Sequence, residues 1–348
     1  MLASRKYLKN FSFSIVSGKL YAKMKVYKLG KVGNLLSTSL FHACARLDMF
    51  GLILVEPEDT YVSLGYFDNI QEILDLQRIR SLGIPVIRRE IGGGTVLLAP
   101  GQVFYQLVIP KSLTPFKIEE AYRKFSQPVM ETYRRLGIGV EYRPINDIVV
   151  KSSQTKISGQ GAGDIHKAFV FVGNILLRFN TELMAEVLKV PNKDFVKKVL
   201  DENLTWVERE KGAMPDFLEV ADILEFEFKK LLPLETCQEI PEEALKLADK
   251  LKEELTSEEL LFEETGRKHR LIKMREGVFL RNKRMKVNGK ELSISMIVEG
   301  QVIKFCKLNG LEFENLEKEV VGLNYDQESV KIALERFNAG FLLPLFWD

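Results

Sequence analysis

Arg88-Arg89-Glu90-Ile91-Gly92-Gly93-Gly94-Thr95-Val96 sets three consecutive glycines between an arginine pair and the apolar run Val96-Leu97-Leu98. Glycine has no Cβ, so its backbone turns with positive φ and comes close to a ligand. Successive N–H groups in such a turn form a concavity for anions, and a neighbouring arginine offers a planar donor fork to phosphate or carboxylate. The stretch therefore predicts a glycine loop between two strands at a binding site. A tight strand-to-strand turn flanked by surface arginines has the same residues, and by itself this stretch leaves both readings open.

Further along, Asn146-Asp147-Ile148-Val149-Val150 precedes Thr155-Lys156-Ile157-Ser158-Gly159-Gln160-Gly161-Ala162-Gly163. A short connection then leads to Phe169-Val170-Phe171-Val172-Gly173-Asn174-Ile175-Leu176-Leu177. The arginine pair, triple glycine, Asn-Asp strand, Lys-Ile-Ser-Gly turn and Gly-x-Ile-Leu strand follow the order and near spacing of the lipoate-protein ligases. The chain resembles that family, part of the biotin and lipoate ligase superfamily, from about Val26 to the C-terminus and most densely between Pro85 and Leu177. The resemblance implies an α+β fold, mixed β-sheets flanked by helices, with a small C-terminal α/β accessory domain.

Composition sets the outer bounds. At 348 residues the chain has room for a large domain and a small one. Its 46% hydrophobic and 28% charged content is ordinary for a soluble globular protein. A net charge of +2 gives no special attraction to nucleic acid or anionic membrane, so neither is an expected partner. No apolar run approaches the roughly 20 residues that span a bilayer. Cys44, Cys237 and Cys306 lie far apart without metal-ligand spacing, which makes a reducing cytoplasm the expected location. The opening differs: no Asp or Glu occurs before Asp48, whereas Arg5, Lys6, Lys9, Lys19 and Lys23 are basic. A transit peptide has that composition. The resemblance starts just after Met24, which favours reading residues 1–25 as an upstream extension; a basic arm packed on the domain is the third option.

Periodicity orders the rest. Leu40, Phe41, Cys44 and Leu47 are spaced as on a helix capped at Ser37 or Thr38, with Cys44 in the core and His42 packed or at the surface. Leu52–Val55, Tyr61–Gly65, Val86–Arg89 and Val103–Ile109 read as strands, and residues 69–82 as one helix. Residues 118–136 read as helical with Pro128 kinking or restarting the helix, and Gly137 ends it. Residues 181–255 read as mainly helical, and short strands follow His269, with Asn288-Gly289 a tight-turn signal. The expected organisation is an extension over 1–25, a catalytic domain over 26–264 and an accessory domain over 265–348.

The resemblance also implies chemistry. ATP converts the carboxylate of lipoate, or octanoate, to an acyl-adenylate, and the ε-amine of an acceptor lysine then displaces AMP. Lys156 matches the family's catalytic lysine, bridging acyl carbonyl and α-phosphate. Arg89, or in second place Arg88, contacts the carbonyl or phosphate. Alternation along a strand points only one of them into the site and leaves the other for a structural ion pair. Gly92, Gly93, Gly94 and Thr95 form the loop over acid and adenylate. Asn146 and Asp147 match the nucleotide-side pair, with Asp147 orienting Lys156 or holding Mg²⁺; Ser158 and Gly159 turn backbone N–H groups to phosphate. The implied partners are lipoyl-domain acceptors: 2-oxoacid dehydrogenase acyltransferase subunits, the glycine-cleavage H protein or similar carriers.

Two departures stand out. Leu98 occupies a position where many family members have histidine, and Phe171 and Val172 occupy two more. The rival readings are an octanoyl or lipoyl transferase working through an acyl-cysteine, a biotin ligase, and a non-catalytic binder of lipoyl domains. The first needs a cysteine in the catalytic fold, and none lies between Cys44 and Cys237. The second lacks its Gly-Arg-Gly-Arg-type loop, and Lys156 speaks against the third.

Overall fold

The computed structural model describes residues 13–16, 19–22, 24–237, 239–264, 272–275, 277–310 and 314–347. They fall into two compact units. One comprises the chain up to Tyr66 with Pro85–Phe179 and Leu204–Leu261; the other comprises Phe67–Ile84, Asn180–Asn203 and the chain from Phe262 onward. The single cut expected after Glu264 borders residues 265–271, which lie outside the described residues. Of the N-terminal extension, Phe13–Val16 and Lys19–Ala22 pair as an antiparallel hairpin.

The first unit is built on an eight-stranded sheet. Its spatial order is Leu234–Cys237, Met24–Val32, Gly51–Pro57, Gln102–Pro110, Ala168–Leu176, Lys156–Ile165, Asp147–Val150, Val140–Arg143. The first two junctions are parallel and the others antiparallel. Gln102–Pro110 is buried nearly throughout because both sheet faces are covered. On one face Tyr105, Leu107 and Phe171 pack with Phe125 of helix Ile118–Arg135 and with Leu224 and Phe228 of helix Phe217–Leu231. On the other, Phe104, Val108 and Val172 pack with Phe41 and Cys44 of helix Leu36–Arg46 and Ala248 of helix Glu242–Leu255. A three-stranded sheet, Val86–Arg88, Tyr61–Leu64 and Val96–Leu98, carries the glycine loop between its outer strands.

In the second unit, Ile272–Arg275, Val278–Val287, Lys290–Glu299 and Val302–Asn309 form an antiparallel meander. Asn288 and Gly289, at φ 50° and 78°, make the predicted tight turn. Leu292, Ile294, Met296 and Val298 pack on Leu316, Val330 and Leu334 of helices Glu314–Val320 and Gln327–Arg336.

Several local expectations are corrected. The helix expected over 69–82 is two, Ile70–Ile73 and Leu76–Leu82: Leu74 is extended and Asp75 caps the second by accepting from Arg78 N. Helix Leu36–Arg46 begins without a side-chain cap, because the hydroxyls of Ser37 and Thr38 bond Tyr61 OH instead, at 2.5 and 2.8 Å. Helix Ile118–Arg135 does not restart at Pro128 but runs on through it, with Phe125, Pro128, Val129 and Met130 all buried. Leu234–Cys237, inside a stretch read as helical, is an edge strand. Lys156 to Gly159 is the start of a strand rather than a turn.

Candidate active site

Lys156 opens the strand Lys156–Ile165, opposite Val149. Its ammonium lies 2.7 Å from Asp147 Oδ1, and Arg143 Nη2 donates to Asp147 Oδ2 at 3.2 Å. Asp147 pairs with Gly159 across the two strands. A Cβ on Gly159 would come within 2.8 Å of Lys156 Nζ, so the lysine folds back along its own strand over the bare glycine. With 34% of its side chain exposed, Lys156 is oriented yet still open to a ligand.

The same strand carries the glycine loop. Alternate residues of a strand share a face, and here Gly159, Gly161 and Gly163 form a side-chain-free track. Gly92 N donates to Ala162 O at 3.1 Å. A Cβ on Gly161 would stand 2.6 Å from Gly92 O, and one on Gly163 would stand 3.2 Å from Ile91. Gly93, at φ +106°, has Gly161 Cα 3.1 Å from its Cβ position. Gly94 is exposed and Thr95 half-buried. Arg89, nearly buried, donates to Ser63 O at 2.9 Å and straps the loop through Gly94 O at 2.7 Å. Arg88 points elsewhere, to the carbonyls of Tyr66 at 2.8 Å and Leu261 at 2.7 Å. These bonds of the two arginines go to different partners, Arg89 to the glycine loop and Ser63, Arg88 to main chain at Tyr66 and Leu261.

The remaining expected residues take supporting positions. Asn146 Nδ2 donates to Gln160 O at 2.6 Å and Gln160 N to Asn146 O at 2.9 Å, which locks the entry to the Asp147 strand. Ser158 is buried, and its hydroxyl donates to Asn174 O at 2.7 Å. Ser158 and Gly159 are strand residues, in register with Ile148 and Asp147, rather than parts of a loop. Both oxygens of Asp147 face cations, and among the described residues no group of three His, Cys, Asp or Glu is placed to hold a metal ion. Of the two roles expected of Asp147, its contact with the Lys156 ammonium is the one that the geometry favours. Leu98 and Val172 are buried in the apolar layer on the side of helix Leu36–Arg46, and Phe171 in the opposite layer. Sequence reading missed Arg143, Gly161 and Gly163; the period-two glycines were the available signal for the last two.

Residues 37–229 match the family model of the lipoyl protein ligase A/B catalytic domain, and the chain belongs to that family. It is similar to lipoate-protein ligase A subunit 1 of Thermoplasma acidophilum, 28% identical over 173 residues, 47% of this chain and 63% of the relative. It is also similar to octanoyltransferase LipM of Exiguobacterium sibiricum, 35% identical over 83 residues, 23% of this chain and 30% of the relative. The chain thus spans less than two-thirds of the length of these curated relatives. Among solved structures it resembles the bipartite lipoate protein ligase of Thermoplasma acidophilum, described with its E2 lipoyl domain. The TM-score is 0.62 at 23% identity, covering 71% of this chain and 98% of that one, a likeness of fold. Among the described residues no helix is long and apolar enough to cross a membrane.

Proposed function

We propose that the chain is an ATP-dependent lipoate-protein ligase. The observation that carries this reading is Lys156, held by Asp147 over Gly159 on the strand that also supports the triple-glycine loop. In the first step a carboxylate oxygen of lipoate or octanoate attacks the α-phosphorus of ATP; the new O–P bond forms as the bond to pyrophosphate breaks. Two anions must meet there, and a preorganised ammonium in a sheltered site stabilises the charge that builds at phosphorus. In the second step the ε-amine of an acceptor lysine attacks the acyl carbonyl, the C–N bond replaces the bond to AMP, and the amine proton is released. Lys156 serves both steps, Arg143 and Asp147 hold it, and the loop from Gly92 to Thr95 encloses the acid. Asn146 and Gly159 lie on the nucleotide side, with Ser158 supporting them from behind. Arg89 keeps the loop in shape, and Asp147, if it helps hold the Mg²⁺ that accompanies ATP, would do so together with the phosphates. Lipoyl domains such as the E2 domain of the Thermoplasma system are the acceptor class, and the cytoplasm is the location proposed.

The placement of the thiols favours ligase over transferase. Cys237 sits on Leu234–Cys237, five strand spacings or roughly 24 Å across the sheet from the Lys156 strand. Cys44 is core, where burial pushes its thiol up to about 12. Cys306 belongs to the C-terminal unit and is likewise pushed up to about 12, mainly by burial. None is built as an acyl-accepting thiolate beside Lys156.

The test is lipoate-dependent ATP–pyrophosphate exchange in wild type and Lys156→Ala. The reading expects exchange that falls by about 100-fold or more in the variant, the scale of losing a key electrostatic donor. No exchange with lipoate or octanoate, together with acyl transfer from a carrier-protein thioester, would move the assignment to a transferase.

A further inference from the structure

Two residues of helix Leu36–Arg46 bond Glu90 at the root of the glycine loop. His42 is fully buried, and its two ring nitrogens have different partners. Nδ1 lies 2.9 Å from Thr38 O, and Nε2 lies 3.0 Å from Glu90 N. A carbonyl only accepts and a backbone N–H only donates, so Nδ1 carries the hydrogen and Nε2 is bare. One helical turn later Arg46 Nη2 donates to Glu90 Oε1 at 2.8 Å. The pair, at i and i+4 on one helix face, thus holds both the main chain and the carboxylate of Glu90.

Glu90 stands between Arg89, whose N–H donates to Leu64 O, and Ile91, whose carbonyl accepts from Tyr66 N. Two residues on, Gly92 is docked on the glycine track. The loop root is also held by these main-chain bonds, by the Arg89 strap and by Ile91 buried in the apolar layer. We infer that His42, with Arg46, is the positioning residue that fixes the root of the glycine loop and thereby sets the affinity of the site for its acid. The second half of that statement rests on the ligase reading above. His42 touches no reacting atom; it acts through Glu90. Burial, with the nearby charges of Arg46 and Arg89, holds the ring neutral, its pKa pushed down to about 3, so the bare nitrogen persists throughout the neutral range.

The test compares full-length wild type, His42→Leu, His42→Gln and Arg46→Gln. Leucine keeps the bulk and removes the acceptor, whereas glutamine returns an acceptor near the Nε2 position. Amide hydrogen exchange is read on the peptide spanning Arg88–Leu98, and lipoate KM and kcat come from ATP–pyrophosphate exchange. The inference expects loop amides to exchange about tenfold or more faster in His42→Leu and lipoate KM to rise by a similar factor with kcat less affected. His42→Gln should restore both to within a few-fold. If His42→Leu fails to fold, Arg46→Gln carries the test, with a smaller acceleration confined to the same peptide. A folded His42→Leu with wild-type loop exchange and wild-type KM overturns the inference, as does an unchanged loop in Arg46→Gln when that variant stands alone. A wild type without acid-dependent exchange defeats the ligase reading instead, and hydrogen exchange then decides the grip on Glu90 by itself.

Discussion

Asp147 is where the charges of the site meet. It faces Lys156 on one oxygen and Arg143 on the other, and replacing it with asparagine keeps the size while removing the charge that holds the ammonium. Misplacing a catalytic group by about an ångström costs on the order of 100-fold in rate. On the ligase reading proposed above, Asp147→Asn is therefore expected to lower kcat for acid activation by about 10- to 100-fold with little change in melting temperature, because the pair is partly exposed. Pyrophosphate exchange at saturating lipoate, alongside thermal unfolding, checks both halves. His42 gives a prediction of opposite character. Its folded pKa is depressed to about 3 from an ordinary 6.5, so below pH 6.5 the unfolded chain takes up a proton that the folded chain refuses. Stability is then unaffected above that pH and falls as pH drops through it, by about 2 kcal/mol at pH 5. Urea unfolding at pH 7.5 and pH 5 should show that part of the loss in wild type and not in His42→Gln; equal losses would refute it.

At the scale of elements, the glycine loop and its track make a two-sided fit, and the glycines differ in what they require. Gly161 has no room for a methyl group, with Gly92 O 2.6 Å from its Cβ position, while Gly94 has nothing within 4 Å. Gly161→Ala is expected to cost about 1–3 kcal/mol, the range for overpacking, and to raise lipoate KM; Gly94→Ala should leave stability within about 0.5 kcal/mol. Denaturant midpoints with parallel kinetics read the contrast, and equal effects would mean that the loop does not rest on the strand. The sequence displays the three loop glycines plainly, yet not which of them matters, since that depends on how closely a strand some 70 residues later approaches. The contact of Asp147 with Lys156 is one that the family resemblance leads one to expect. Its contact with Arg143 is not, because that tie depends on the antiparallel register of Val140–Arg143 with Asp147–Val150. The helix over 69–82 was misread for a similar reason: Leu74 leaves helical geometry to bridge Leu188, a partner more than 100 residues away.

At the scale of the whole molecule, the chain crosses between its two units five times, at Tyr66/Phe67, Ile84/Pro85, Phe179/Asn180, Asn203/Leu204 and Leu261/Phe262. A boundary signal in the sequence marks one crossing at most, because the other segments join the C-terminal unit through side-chain hydrogen bonds. Asn282 Nδ2 donates to Lys189 O at 2.6 Å and also to Glu72 O, and Arg284 Nη2 donates to Gln71 Oε1 at 2.6 Å. Nothing local to residues 67–84 or 180–203 announces those bonds. They bear on cooperativity. If the C-terminal unit unfolds, both excursions become long unstructured loops inside the catalytic unit, and closing such loops carries an entropic cost. The two units are therefore expected to melt in one transition. Asn282→Leu, which takes a buried donor from two carbonyls, should cost about 1–3 kcal/mol and shift that transition as a whole, by roughly 2–4 °C per kcal/mol. Scanning calorimetry decides it. Splitting into two transitions, with only the lower one moving, would show that the catalytic unit does not depend on the C-terminal unit. A chain cut after Glu264 would then keep its fold, whereas under the coupled behaviour argued here it should lose stability.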